Sequence, residues 1–200
     1  MNIYNTRLQS TLVLMLIFFA VPFMVYSQKE NHKYPYGKIS PLAPKQVGDY
    51  AQLIGKCNCK SVSKNQEGLW GDTVNMTWTF RYILEGMAVQ DETIKADGLH
   101  SGSIRLYNPD SSKWYVHYYT SAPTPTPKSL STWEGNMTND GKMVLYREQK
   151  APNGTEGFYR LTFSDISDEG YNWIGEWVNT DETFTFPTWK IFCRKDDVHK

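Results

Sequence analysis

The chain has almost no charge to spend on a polyanionic partner. Its 21 Lys and Arg are matched by 21 Asp and Glu. Removing Arg7 with the leader described below leaves 20 basic against 21 acidic residues, a formal charge of −1. That balance argues against nucleic acid and anionic membrane as partners, since both are held by clustered Lys and Arg. Catalytic signatures are missing too. There is no Gly-x-Ser-x-Gly, no His-Glu-x-x-His and no phosphate-binding glycine loop. Cysteine is scarce, with three residues at 57, 59 and 193. Their Cys-x-Cys spacing, without a paired His motif, argues against a zinc site. Nothing repeats at a fixed period, so a repeat array is excluded.

One long apolar run is present, Thr11 to Tyr26, preceded by Arg7. It is about 15 residues long and contains Pro22, whereas a spanning helix needs roughly 20. Val25-Tyr26-Ser27 supplies modest residues where a signal peptidase reads. Residues 1–27 are therefore expected to be a secretory signal, cleaved before Gln28. No Cys stands at that point to take a lipid. The expected location is exported, periplasmic or secreted, with no membrane contact after cleavage. Residues 28–44, with prolines at 35, 41 and 44, read as a flexible tether. Residues 45–200 then form one domain, of a size that buries a single core.

Pro44 to Ile54 places Val47, Tyr50, Ala51 and Ile54 at helical spacing and predicts a short N-terminal helix ended by Gly55. Beyond it the period is two. Val74, Met76, Trp78, Phe80 and Tyr82 alternate with polar residues, the signature of a half-buried strand. Ser103 to Thr120 shows the unit most clearly. Two aromatic and branched runs flank Asn108-Pro109-Asp110-Ser111-Ser112, a polar knot suited to a hairpin turn. Asp97-Gly98 and Asn139-Asp140-Gly141 are further turns. About ten strands follow one another with short connections: after the first at Lys56, they include Met87–Ala96, Leu99–Asn108, Lys113–Ser121, Leu130–Met137, Lys142–Gln149, Glu156–Ile166, Gly170–Asn179 and Thr183–Arg194. Sequential hairpins make an antiparallel meander, and closure of a meander removes its edges. The fold expected is all-β, an antiparallel up-and-down barrel of about ten strands, in preference to a sandwich. Ala122 to Ser129 carries three prolines and cannot pair in a sheet. It is expected to lean over one mouth as a partial lid.

Export places the cysteines in an oxidising compartment. Cys57 and Cys59 share one strand face, and Trp189, Ile191 and Cys193 share another. In a closed meander the first and last strands are neighbours. A disulfide from Cys193 to the first strand follows, with Cys59 the expected partner and Cys57 the alternative, since register decides between them.

Certain short motifs carry a resemblance. Gly86-Met87-Ala88-Val89-Gln90-Asp91 follows the second strand. Tyr107-Asn108 and Lys113-Trp114 bracket the hairpin, and Trp133-Glu134-Gly135, Arg160-Leu161-Thr162-Phe163, Trp173 and Trp189 follow in order. Over residues 45–195 the chain resembles the secreted bacterial family known as domain of unknown function 1579. The resemblance implies a lipocalin-like (calycin-type) barrel of ten strands with a ligand-sized interior. The family has no established activity, so it brings no catalytic residues.

The chain is rich in aromatics, with 7 Trp, 13 Tyr and 9 Phe, and such residues either fill a core or line a pocket at a barrel mouth. Tyr107, Trp114, Tyr118, Trp133 and Trp173 are the aromatic pocket candidates. Arg105 and Arg160 are the candidate cations, with Glu176 beside them. An inward Arg must be paired, and inside a barrel it can hold a ligand carboxylate. Strand alternation alone puts Arg160 outside, where Glu176 or Glu92 can pair with it. The family resemblance centres on this residue and implies an inward position. His117 sits mid-strand with no second ligand at a metal or haem spacing, so no metal or cofactor is expected. Glu134, Asp165, Asp168, Glu169 and Glu176 are the carboxylates a hydrolase would have available. The function expected is binding of a small, largely apolar ligand without catalysis. The alternatives are an enzyme of hydrolytic type and a protein-interaction domain with a filled core. A cavity of several hundred Å3 favours the first reading, and a solid interior favours the interaction role.

Overall fold

A computed structural model of the protein describes residues 33–122 and 130–195. The predicted signal segment and the proline-rich lid, residues 123–129, lie outside the described residues. A 3-10 helix, Lys45–Leu53, leads into β1 (Gly55–Ser63), β2 (Val74–Ile83), β3 (Ala88–Lys95), β4 (His100–Asn108) and β5 (Lys113–Thr120). The chain continues through β6 (Ser131–Met137), β7 (Met143–Glu148), β8 (Gly157–Ser167), β9 (Gly170–Asn179) and β10 (Thr185–Lys195). Each strand pairs antiparallel with its sequence neighbours, and β10 pairs with β1 to close the barrel. The ten-stranded meander read from the two-residue period is the fold.

Closure sets Cys59 opposite Cys193 in the β1–β10 register, with Ser61 opposite Ile191. The Cα atoms of Cys59 and Cys193 are 4.1 Å apart and their sulfurs are bonded. The register thus selects Cys59 over Cys57, whose thiol stays buried two residues away on the same face.

The predicted short helix is of the 3-10 type. Its buried residues are Val47, Tyr50 and Leu53, a spacing of three, which is the repeat of a 3-10 helix. The stripe faces the barrel interior and plugs one end, termed here the closed end. Tyr50 packs edge-on against Trp114 with ring centroids 4.7 Å apart, and Trp114 Nε1 donates to Asp49 Oδ2. Behind the plug, Trp78, Phe80, Phe163 and Tyr171 form an aromatic cluster with centroids 5.4 to 6.1 Å apart. Burial of side chains this large, at about 1.5–3 kcal/mol for one such as Phe, makes this half of the barrel the main core.

The tether is tied down before it reaches the plug. Tyr36 O accepts from Tyr82 N, and Ser40 N donates to Gly86 O. Gly86 has φ +88°, and a Cβ there would stand 2.2 Å from Lys38 O. The glycine therefore serves both the turn into β3 and the close approach of the strap.

Candidate functional site: a cavity in the open half of the barrel

Strand alternation decides what the other half contains. On β3 the inward residues are Val89, Asp91 and Thr93, and on β4 they are Ser101, Ser103 and Arg105. Trp133 of β6, Trp173 of β9 and Trp189 of β10 face them. Between these walls lies a cavity of about 190 Å3. Tyr118, Arg147, Tyr159 and Trp189 line it yet remain partly exposed, which places its opening away from the plug. Gly175 keeps the wall thin: a Cβ there would lie 2.7 Å from Tyr159 Oη and 2.8 Å from Trp173 Cη2.

A closed polar group forms the floor. Asp91 Oδ1 accepts from Arg105 Nε at 2.8 Å and pairs with Nη2 at 2.7 Å. Asp91 Oδ2 accepts from Trp78 Nε1 at 2.9 Å, and Arg105 Nη1 donates to Tyr50 Oη at 3.2 Å. The guanidinium also lies 5.1 to 5.4 Å from the ring centroids of Tyr50, Phe80 and Phe163. Arg105 is 3% exposed and Asp91 2%. Burial works against the charge of Arg105, but Asp91 and Tyr50 more than offset it and hold its pKa above the ordinary value. Burial pushes the Tyr50 hydroxyl up. The predicted cation is therefore at the cavity, but its charge is already spent on Asp91.

Of the other predicted pocket residues, Tyr118, Trp133 and Trp173 line the cavity. Tyr107 and Trp114 face inward on the plug side, stacked edge-on at 5.6 Å, and belong to the core. Arg160 and Glu176 do not reach the interior. The neighbours of Arg160 on β8, Tyr159 and Leu161, are the residues that line the cavity. Arg160 lies on the outer face, where its Nη2 meets Glu176 Oε1 at 2.9 Å and its Nη1 bonds Glu182. The expectation drawn from the resemblance is corrected here: the simple alternation of β8 governs. The predicted alternative, a structural pair with Glu176, is what forms.

Arg147 is among the cavity residues absent from the sequence candidates. Met143, Leu145 and Arg147 share the inner face of β7, so Arg147 stands at the rim. The same period of two that identified β7 carried that signal. Its guanidinium lies 4.3 Å from the Trp133 ring centroid and 5.7 Å from that of Tyr159. Nη2 donates to Gln149 Oε1 at 2.5 Å. Burial pulls its pKa below the ordinary arginine value.

His117 faces outward from β5 beside Thr132. Among the described residues no three His, Cys, Asp or Glu side chains converge as a metal site would require. Asp91 is the one carboxylate among the described residues lining the cavity. A larger groove, about 710 Å3, lies beside the cavity over Trp177, Phe184 and Phe186 and shares Tyr159 with it. Its walls combine the loop residues Lys150, Ala151, Pro152, Asn153 and Thr155 with Tyr159, Trp177, Phe186 and Thr188 of β8, β9 and β10, and they hold no counterpart of the Asp91–Arg105 pair.

No protein-family model matches the sequence, and no curated protein matches it. The resemblance to the secreted family rests on the short motifs quoted above. Among solved structures, an S-type phycobiliprotein lyase from Guillardia theta is similar at 10% identity. The alignment covers 75% of this chain and 92% of that one, with a TM-score of 0.46. The fold itself is established by the closed order of the ten strands.

Proposed function

We propose that the barrel binds a small, largely apolar molecule in this cavity and catalyses no reaction on it. The observation that carries this reading is the contrast between the two halves of one interior. The closed half is packed with rings, while the open half keeps about 190 Å3 between Trp133, Trp173, Trp189 and Tyr118. A purely structural core would have been filled, because voids forfeit contact energy. The volume is below the several hundred Å3 of a drug-sized site. It exceeds the roughly 150 Å3 in which an apolar protein cavity holds benzene. A ligand of one ring, or a short branched chain, fits that range. The lone cavity carboxylate, Asp91, is held by Arg105 and Trp78, which supports binding over acid-base chemistry. Export is part of the proposal, supported by the Cys59–Cys193 bridge, which persists in oxidising compartments.

Native mass spectrometry of the protein purified from its own host tests this. An adduct of small-molecule mass, released on denaturation, is expected. Bare protein alone, with no thermal shift from a panel of monocyclic probes, would overturn the reading in favour of an interaction domain.

A further inference from the structure

The geometry points to Arg147 as the arm that recognises an anionic group on the ligand, so that the molecule taken up is a small carboxylic acid with an apolar body. This rests on the ligand-binding reading above and narrows it.

Arg81 pairs with Glu92, Arg105 with Asp91, and Arg160 with Glu176 and Glu182. Among the described residues, Arg147 is the inward-facing arginine without such a partner. Its hydrogen bond among the described residues goes to the neutral amide oxygen of Gln149, and its faces meet Trp133 and Tyr159. A guanidinium has five donors in a planar fork, so most of that fork is left for another acceptor. The ring contacts orient the plane and partly compensate its charge, but they do not replace an anion.

Position selects the ligand class. Arg147 lines the same cavity as Trp173, Trp189 and Leu161. A molecule seated among those walls presents its polar end toward the rim. A carboxylate is planar and has two oxygens, which matches the fork in a two-pronged bond. At the floor the charge of Arg105 is already neutralised by Asp91, so the floor offers an anion no cation of its own. The arm is also held in place. Gln149 N donates to Gly157 O, and Gln149 O accepts from Trp177 Nε1 at 2.8 Å. Gln149 is therefore a positioning residue for the arm.

The test uses a matched pair, phenylacetate and phenylacetamide, titrated at neutral pH and followed by quenching of tryptophan fluorescence. The wild-type protein is expected to bind the acid at least tenfold more tightly than the amide. Arg147→Gln should bring the ratio of acid to amide affinity close to one, and Arg147→Lys should keep part of the preference. Circular dichroism and the thermal midpoint check that each variant is folded. If Arg147→Gln does not fold, high salt on the wild-type protein serves instead and should reduce the preference. Equal binding of acid and amide by the wild type, or a preference that survives Arg147→Gln, overturns the inference and leaves the ligand reading standing. Binding of neither probe removes both.

Discussion

Asp91 satisfies two buried side chains at once, Arg105 and Trp78, and this makes it the most consequential single residue in the interior. Arg105 is almost wholly buried, and a buried charge deprived of its partner is costly. Asp91→Asn is expected to lower the unfolding free energy by about 3–5 kcal/mol, measured by urea denaturation. Asp91→Leu combined with Arg105→Met removes both charges and should cost less than Asp91→Asn alone. If the double variant is the less stable of the two, the pair is contributing net energy rather than avoiding a penalty. At this scale the sequence is legible unevenly. Arg105 is a candidate cation whose face the sequence leaves open, and it is inward. The resemblance implies an inward Arg160 against the alternation of its strand, and the residue lies outside. Arg147 is absent from the candidates although Met143 and Leu145 announce its face. Periodicity reports the side of a strand faithfully; it does not report which carboxylate waits on that side, because partners come from other strands.

The elements themselves were legible almost to the residue. The strand expected over Lys113 to Ser121 runs Lys113–Thr120, and that expected over Met87 to Ala96 runs Ala88–Lys95. Strands with one face in the core have a strong period, and polar turns punctuate them sharply. The plug was harder, since Val47, Tyr50, Ala51 and Ile54 satisfy a 3.6-residue period while the fold uses Val47, Tyr50 and Leu53. Packing against the barrel end, invisible in local sequence, makes that choice. The β1–β10 seam allows a quantitative expectation. The bridge closes a span of 134 residues, for which the chain-entropy model gives roughly 4–5 kcal/mol. Cys59→Ala with Cys193→Ala should lose stability of that order in denaturant, while far-ultraviolet circular dichroism keeps its strand signal because seven register pairs still join the strands. In the unmodified protein, denatured without reductant, thiol titration should find a single reactive group, Cys57. Three reactive thiols would mean the seam is held by strand pairing alone.

At the scale of the molecule, the buried tyrosines tie stability to alkaline pH. Burial raises the pKa of Tyr50 and Tyr171 above the ordinary value of 10.0, and of Tyr159 as well. The folded state therefore keeps protons that the unfolded state releases. Their contribution is fully present below about pH 10 and falls as pH rises above it. Tyrosinate absorbance should show a fraction of the rings titrating late, together with loss of the fold, and a smooth titration of all of them before unfolding would contradict this. The bridge has a second consequence, mechanical rather than thermodynamic. Because it joins the first strand to the last, tension applied before β1 and after β10 crosses from Cys59 to Cys193 through the sulfurs, and the 134-residue span between them carries no load. Stretched between two handles in an optical trap, the oxidised protein should yield only the residues outside the bridge. Adding reductant should release a hidden length of about 440–480 Å, at roughly 3.3–3.6 Å per residue.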